Sequence, residues 1–359
     1  MAGQSQTSRK YHQANNENKT LMSTSTHIRS LTSAASVGLL ALISAARGDI
    51  PDTVYIGDGG DNTVKAFDAA DGSAFSGSKA TFASSGLHGP RGILVAGGQL
   101  IVVDQNVGKN IGGEILQFRL NNGNLTGAIV PKRDPNGPFA PRGAVLKSGV
   151  LFVANVVDDD LNSPGQVLAY SGTGGFLGEL VPAAGINFHP RGVVCGADGL
   201  LYVSNCPNIG PAGPTTGGQV LRFDPASLSF IDIFVNEPVG GIGALNRPEG
   251  LAFSPDGKLC ITSFRATPDD LDAIRIYDGI TGAFLDKIAL NAPGEVRSFA
   301  QALLFGPGGK LYVPITATGA VRRYNLATKS FDVFLPAGAL VSPWFLSFGR
   351  TNPTTLAYE

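Results

Sequence analysis

The stretch "HPRGVVCGADGLLYVSN", residues 189–205, contains the unit that decides the fold. It begins at His-Pro-Arg-Gly, continues as a short apolar strand, turns at Gly-Ala-Asp-Gly and returns as a second apolar strand. Two apolar runs joined by a glycine-containing turn are typical of a β-hairpin. Pro-Arg-Gly also occurs at 90–92 and 141–143, so this hairpin belongs to a repeat.

Alignment on the Pro-Arg-Gly site gives six copies of a larger unit. A third strand with an aromatic residue follows the hairpin in "ILQF", "VLAY", "VLRF", "IRIY" and "VRRY", and a fourth strand follows in stretches such as "GAFLDKIAL". Each unit therefore has four predicted strands. The residues at the middle of the aligned site are Arg91, Arg142, Arg191, Glu249, Gln301 and Trp344.

The sixth unit is divided between the two ends of the chain. "VYIGDGGDNTVKAFDAADG", residues 54–72, supplies its second and third strands, and "SPWFLSF", residues 342–348, supplies its first strand. Repeats of about 40–50 residues with four short strands are typical of β-propeller blades, and pairing the chain ends in one blade removes the open edge. We therefore predict an all-β, six-bladed β-propeller of four-stranded antiparallel blades. The C-terminal "TTLAYE", Thr354–Glu359, also resembles a second strand, so the closure register could differ by one strand.

These units resemble NHL repeats, and the resemblance covers nearly the whole predicted domain. It is carried by "VYIGDGGDNTVKAFDAADG" and by the succession of Pro-x-Gly, "DGLLYVSN" and "VLRFD". More distantly, the chain is similar to the six-bladed lactonases of the regucalcin and gluconolactonase group and to the streptogramin lyases. A fold shared by so many proteins does not fix a function.

The first 46 residues differ from the rest. A polar stretch is followed by the apolar run "LTSAASVGLLALISAA", which ends in small residues as secretory signals do. We expect residues 1–46 to be a leader cleaved near Ala46, with Met22 as an alternative start, and residues 47–359 to form one propeller domain. The run is shorter than the roughly 20 residues that span a bilayer. A secreted or periplasmic protein with no membrane span is therefore expected.

The overall charge and the cysteines exclude some functions. Lys and Arg number 27 against 28 Asp and Glu, a formal net charge of -1, which provides no basic stripe for nucleic acid. Cys195 and Cys206 fall toward opposite ends of one predicted hairpin, too far apart for a disulfide. Together with Cys260 they are expected to be buried free thiols.

The middle residue of each Pro-x-Gly site is predicted to lie at one mouth of the central channel, because the first strand of each blade lines that channel. Arg91, Arg142 and Arg191 would make one half of the mouth cationic, opposite Glu249, Gln301 and Trp344. Guanidinium groups bind carboxylate, sulfate or phosphate through paired donors, and an indole stacks on a sugar, a ring or a peptide side chain. Alternatively, each Arg pairs with an Asp or a carbonyl of the next blade.

Long loops between the second and third strands open at the same mouth in four blades. They occupy residues 105–114, 156–166, 206–219 and 264–273. Long loops on one face often carry a binding site. They could also hold a protein partner over an inert channel.

Polar residues that end the second strands are candidates for a metal site. Asp58, Asp104, Asn155 and Asn205, together with Glu249, offer the oxygen ligands that Ca²⁺ or Mg²⁺ prefers. Alternatively, the resemblance to NHL repeats implies that an Asp at this position bonds the following loop. The resemblance to the regucalcin group implies metal ligands at the Pro-x-Gly position, where this chain has three Arg and keeps only Glu249 and Gln301.

Catalytic candidates are few. His88 and His189 precede first strands near the mouth, and either could be a general base because imidazole titrates near neutrality. The resemblance to the streptogramin lyases implies a catalytic His beside a Glu near a metal, a pair for which only His189 and Glu249 qualify here.

The sequence favours an exported propeller that binds an anionic small molecule, glycan or peptide at the Arg-lined mouth. The alternatives are a metal-dependent hydrolase, similar to a lactonase or esterase, or a lyase with Ca²⁺ or Mg²⁺ in the channel. A third is an interaction module for a protein partner. Whether the protein is an enzyme stays open at this point.

Overall fold

The structure is a computed structural model that describes residues 52–75, 81–156, 164–206 and 217–359. The predicted leader, residues 1–46, and most of the loops 156–166 and 206–219 lie outside these residues. In the described part, regular structure consists of β-strands and one short 3₁₀ helix, Pro307–Gly309. No helix in these residues has the length and apolar character needed to cross a membrane.

The strands follow one another along the chain with short connections. In order they are β1 (Thr53–Asp58), β2 (Thr63–Asp68), β3 (Thr81–Ala83), β4 (Pro90–Ala96), β5 (Gln99–Asp104), β6 (Glu114–Arg119), β7 (Leu125–Val130), β8 (Ala140–Lys147), β9 (Val150–Val156), β10 (Gln166–Ser171), β11 (Phe176–Leu180), β12 (Pro190–Cys195), β13 (Leu201–Asn205), β14 (Gln219–Asp224), β15 (Ser229–Val235), β16 (Arg247–Phe253), β17 (Lys258–Phe264), β18 (Ala273–Asp278), β19 (Phe284–Ala289), β20 (Leu304–Phe305), β21 (Leu311–Ile315), β22 (Ala320–Tyr324), β23 (Phe331–Leu335) and β24 (Pro343–Phe348).

These strands form six four-stranded antiparallel sheets, the blades of a β-propeller. Blade I contains β4–β7, blade II β8–β11, blade III β12–β15, blade IV β16–β19 and blade V β20–β23. Blade VI joins the chain ends in the order β24-β1-β2-β3. The predicted all-β fold, the number of blades and the division of the sixth unit are confirmed.

The C-terminal tail closes the channel instead of adding a strand. β24 pairs with β1 from Val54 opposite Phe348 to Asp58 opposite Pro343, so these two strands already fill the first-strand and second-strand positions of blade VI. In the tail, the carbonyl of Pro353 accepts from the Leu146 amide and that of Thr354 from the Cys195 amide. The suggestion of a further strand at Thr354–Glu359 is wrong, because these bonds fasten the tail across the ends of first strands.

The core lies between neighbouring blades. Most residues of the first and second strands of each blade are buried, and aromatic rings meet edge to face across the blade boundaries. The Tyr202 and Phe253 centroids lie 5.0 Å apart at 88°, and those of Tyr312 and Phe348 lie 4.9 Å apart at 77°. Such contacts add to the burial of apolar area. The three cysteines are buried free thiols, as predicted.

A ring of glycines allows the first strands to approach around the channel axis. A Cβ added to Gly92, Gly143, Gly192 or Gly250 would lie 2.8–3.0 Å from the carbonyl oxygen of the middle Pro-x-Gly residue in the next blade. Real Cβ atoms are almost never this close to backbone atoms. Glycine in the Pro-x-Gly site is therefore a packing requirement of the closed ring.

We expect Gly143→Ala to destabilise the protein. Its Cβ would lie 3.0 Å from the Arg191 carbonyl oxygen and 3.1 Å from the Gly192 Cα, both backbone atoms that cannot rotate away. Overpacking of this kind costs about 1–3 kcal/mol of unfolding free energy. Urea denaturation followed by circular dichroism measures the change.

Gly172→Ala is the matched control. Its Cβ would meet one backbone oxygen at 3.5 Å, an ordinary van der Waals contact. Its unfolding free energy should change by less than about 0.5 kcal/mol. Equal midpoints for the two variants would contradict a packing role for the glycine ring.

Candidate functional site

The middle residue of each Pro-x-Gly site lies at the channel mouth, and in blades I to IV a β-bulge places it there. In blade I, Pro90 lies opposite Asp104 and Ile93 opposite Val102, so Arg91 and Gly92 face a single residue of β5. Blades II, III and IV show the same shift after Pro141, Pro190 and Pro248. A bulge bends the strand and redirects its side chains. We call the resulting set of Arg91, Arg142, Arg191, Glu249, Gln301 and Trp344 the arginine mouth.

Arg91 spans three blades of the arginine mouth. Its Nε donates to Gln105 Oε1 of its own blade at 2.7 Å, and its Nη1 donates to Gln301 Oε1 of blade V. Between them, the guanidinium carbon lies 3.7 Å from the centroid of the Trp344 ring in blade VI. The predicted stacking face of Trp344 is therefore occupied by a cation, and the Gln301 amide is used to orient Arg91.

Arg191 forms a salt bridge with a carboxylate of the next blade. Among the described residues, this is the one carboxylate within salt-bridge distance of Arg191. Its Nε lies 3.8 Å from Glu249 Oε1, and its guanidinium contacts the Cys206 thiol. Burial by itself lowers the pKa of Arg191, but Glu249 and Cys206 together outweigh burial and the pKa is raised. The alternative in which an Arg pairs with the neighbouring blade thus holds for Arg191 and Glu249.

The arginine mouth has more positive than negative charge. Arg91 and Arg191 are each only 6% exposed, while Arg142 is half-buried. Burial, followed by the neighbouring charge of Arg142, holds the pKa of Arg91 well below its ordinary value, and Arg191 acts in the same direction. Glu249 is the one carboxylate in the set. A buried cation beside like charges is stabilised by an anion.

The polar residues that end the second strands bond the loops that precede the first strands. Both carboxylate oxygens of Asp104 accept from the His88 amide, at 2.9 and 3.0 Å. Asn155 Oδ1 accepts from the amides of Phe139 and Ala140, and Asn205 Oδ1 from that of His189. These acceptors therefore fix the loop that precedes the blade's first strand. Asp58 and Asp104 also accept from amides of the loop that follows the second strand, those of Gly60 and Asn106.

Asp58 has the same position in blade VI. It accepts from the amides of Val341 and Ser342 and from the Lys65 ammonium at 2.6 Å. A cation bound by Asp58, Asp104, Asn155 and Asn205 would have to replace these donors. Glu249 lies elsewhere, beside Arg191. Within the described ranges no group of three or more His, Cys, Asp or Glu side chains is placed to hold a metal ion.

The two histidines occupy different environments. His189 is fully buried behind the mouth, and its backbone is held on both sides by Asn205 and Cys206. His88 is half-buried, and its Nδ1 donates to the Gly86 carbonyl at 3.2 Å. Glu249 is held by Arg191, and its carbonyl accepts from Ser204 Oγ at 2.5 Å. A general base has to come within hydrogen-bond distance of the proton that it removes from the substrate. The positions and contacts of these three residues leave little room for a substrate to approach them.

The two long loops that are described throughout are held by their own polar contacts. In loop 105–114, Asn106 Nδ2 donates to the Gly112 carbonyl at 2.9 Å. In loop 264–273, buried Asp272 accepts from the Arg265 amide at 2.9 Å and pairs with Arg297 at 2.7 Å. These contacts therefore give both loops a defined conformation beside the arginine mouth.

The sequence analysis did not identify two residues that contact the arginine mouth. Gln105 and Cys206 each follow directly the last residue of a second strand, and each contacts an Arg of the mouth. Their position one residue after Asp104 and Asn205 is the signal that could have identified them. Only the packing of blades shows which Arg each one reaches.

Comparison with known proteins supports the fold and no finer assignment. No protein-family model matches the chain, and no curated protein matches it. Among solved structures, the chain is similar to one described as the crystal structure of a nidogen/laminin complex, with 15% sequence identity and a TM-score of 0.60. The likeness covers 83% of this chain and 98% of that chain. At this identity it shows a six-bladed β-propeller, and the NHL-type repeat stays a prediction.

We expect the stability of the protein to depend on pH through Asp104. Burial, opposed by the bond from His88 and assisted by Glu114, raises the pKa of Asp104 to about 7. A raised carboxyl pKa means that the folded state binds more protons than the unfolded state between about pH 4 and 7. Unfolding free energy therefore falls as the pH rises through this window, by up to about 1.4 kcal/mol per pH unit.

Asp104→Asn should remove this dependence, because an amide oxygen still accepts from His88, as at Asn155 and Asn205. The stability of the variant relative to the native protein should rise between pH 5 and pH 8, measured by urea denaturation. Asp58→Asn is the control. Burial raises the pKa of Asp58, but Lys65 and two amides outweigh burial and lower it, so its difference from the native protein should be the same at both pH values. A constant difference for Asp104→Asn would contradict the raised pKa.

Proposed function

We propose that the protein binds an anionic group at the arginine mouth. The observation that carries this proposal is the convergence of Arg91, Arg142 and Arg191 on one mouth with Glu249 as the single carboxylate of the set. Guanidinium groups offer planar pairs of donors that match carboxylate and phosphate oxygens. The half-buried Arg142 is the one of the three that is most open to a ligand.

The fixed geometry of the mouth supports binding as well. Arg91 is held by Gln105, Gln301 and Trp344 before any ligand arrives. A preorganised cation loses little side-chain entropy when it binds an anion. The anion would also relieve the repulsion that lowers the pKa of Arg91.

We further propose that a peptide or protein segment carries the anionic group. Large apolar side chains are exposed on loops that open at the same mouth, among them Val107, Phe139, Ile242, Val296 and Val341. Apolar side chains around a polar centre are typical of sites that bind proteins. The similar solved structure is described as a nidogen/laminin complex, which is consistent with the use of this fold in protein binding. The predicted leader places this binding outside the cytoplasm.

A metal-dependent hydrolase or lyase has less support. The oxygen atoms proposed as ligands accept from backbone amides and from Lys65, and His189 is fully buried. The proposal therefore assigns no catalytic role to His88, His189 or Glu249.

Tryptophan fluorescence tests the proposal directly, because the chain contains one Trp and it lies against Arg91 in the mouth. Glutamate, glucuronate, phosphate and a short peptide with one Glu between Leu residues are titrated into the purified protein. We expect saturable changes in Trp344 emission, strongest for the peptide. Arg142→Met should weaken binding by about 10–100-fold, the loss expected for a charged hydrogen bond.

Arg119→Met is the matched control, because Arg119 is exposed on β6 away from the mouth. Its affinity and its melting temperature should equal those of the native protein. Binding that survives Arg142→Met, together with a large loss of stability in that variant, would make Arg142 a structural residue and overturn the proposal.

A further inference from the structure

A cavity of about 900 Å³ lies on the face opposite the arginine mouth. Its walls come from the turns between first and second strands of blades III, IV and V, residues 196–199, 254–257 and 306–309, and from the C-terminal tail, residues 355–358. We call it the tail-face cavity. Its size falls in the range of pockets that hold small molecules.

The hydrogen bonds and ring contacts of the C-terminal tail determine where this cavity lies. Thr354 bonds the Leu146 carbonyl through its hydroxyl and the Cys195 amide through its carbonyl. Farther along, the Tyr358 ring packs on Phe348 with centroids 5.4 Å apart. The tail therefore crosses the channel end toward blade VI and leaves open space over blades III to V.

The inner wall of the tail-face cavity is aromatic. Tyr202, Phe253 and Phe305 line it, and Tyr202 and Phe305 are each 3% exposed. Ile280 contributes an apolar side chain that is 87% exposed at the rim. An aromatic wall with an exposed apolar residue at its rim favours an apolar ligand, because binding removes the exposed surface of Ile280 from water.

One end of the cavity is polar, and its charges are balanced. Arg222 donates from Nε and Nη2 to Asp232, at 2.8 and 2.5 Å, and its Nη1 lies 3.7 Å from Asp198 Oδ2. The Tyr202 hydroxyl donates to Asp198 at 2.9 Å, and the nearby Lys147 ammonium contacts Cys195 Sγ at 3.2 Å. Two cations face two carboxylates, so this end has no excess charge for an anion, unlike the arginine mouth.

We propose that the tail-face cavity binds a neutral, largely apolar small molecule that has an aromatic ring system and a hydrogen-bond donor at one end. The rings of Tyr202, Phe253 and Phe305 would pack against the ligand. Asp198 would accept from the donor, because a carboxylate has lone pairs for more partners than Tyr202 and the Leu200 amide. This inference does not depend on the proposed function of the arginine mouth.

The test uses N-phenyl-1-naphthylamine, a neutral aromatic amine that fluoresces strongly in apolar surroundings. We expect saturable binding of one molecule per protein chain. Ala197 and Ala357 both line the cavity and are exposed, so Ala197→Trp and Ala357→Trp should fill it without disturbing the core. Each should weaken binding by about tenfold or more, since the apolar contact area is lost.

The control is Ala70→Trp, the same substitution at an exposed alanine in turn 69–72 of blade VI, no residue of which lines the cavity. Its affinity for the probe should equal that of the native protein, and thermal melting should show that all three variants are folded. The sulfonated analogue, 8-anilino-1-naphthalenesulfonate, should bind more weakly than the neutral probe at any site that Ala197→Trp blocks. The proposal would be overturned by absence of probe binding, by binding to both cavity-filling variants that is as tight as to the native protein, or by tighter Ala197-dependent binding of the sulfonate.

Discussion

The close approach of the first strands around the channel axis is the constraint on which the rest of the structure depends. A ring of blades closes only if each first strand can lie against the backbone of the next one. Gly92, Gly143, Gly192 and Gly250 make this contact possible because any Cβ would meet a carbonyl oxygen of the neighbouring blade. Close packing of backbone atoms leaves no room for adjustment, so the repeat keeps a glycine there in four blades.

The same local geometry creates the arginine mouth. In blades I to IV, the bulge that brings glycine to the axis turns the preceding residue toward the channel entrance, where these four residues meet Gln301 and Trp344. The proline before it lies opposite the end of the second strand, where Asp58, Asp104, Asn155 or Asn205 bonds the incoming loop. Because those oxygens are used to hold backbone amides, the charge of the mouth is decided by the middle residues, three of which are arginines.

The two faces of the ring consequently differ in chemistry. At the mouth, buried guanidinium groups crowd together, and Arg91 is held away from its ordinary pKa by burial and by Arg142. At the opposite face, the tail covers the channel end, and cations such as Arg222 are paired with carboxylates. A chain with a net charge near zero thus has one strongly cationic site, and the adjoining apolar side chains of the loops extend it. The fold separates the two environments by the length of one strand.

The sequence by itself determined the number of blades, the closure of the ring and the six residues of the mouth, because strand periodicity and turn residues are local properties that repeat along the chain. It did not determine that Arg91 reaches Gln301 across 210 positions, that Arg191 pairs with Glu249, or that Asp104 is buried enough to titrate near neutrality. It also misassigned the tail, since "TTLAYE" has the alternation of a strand but meets backbone groups at the channel end. These features were decided only by the tertiary structure, because each depends on which blades become neighbours and on how much water their packing removes.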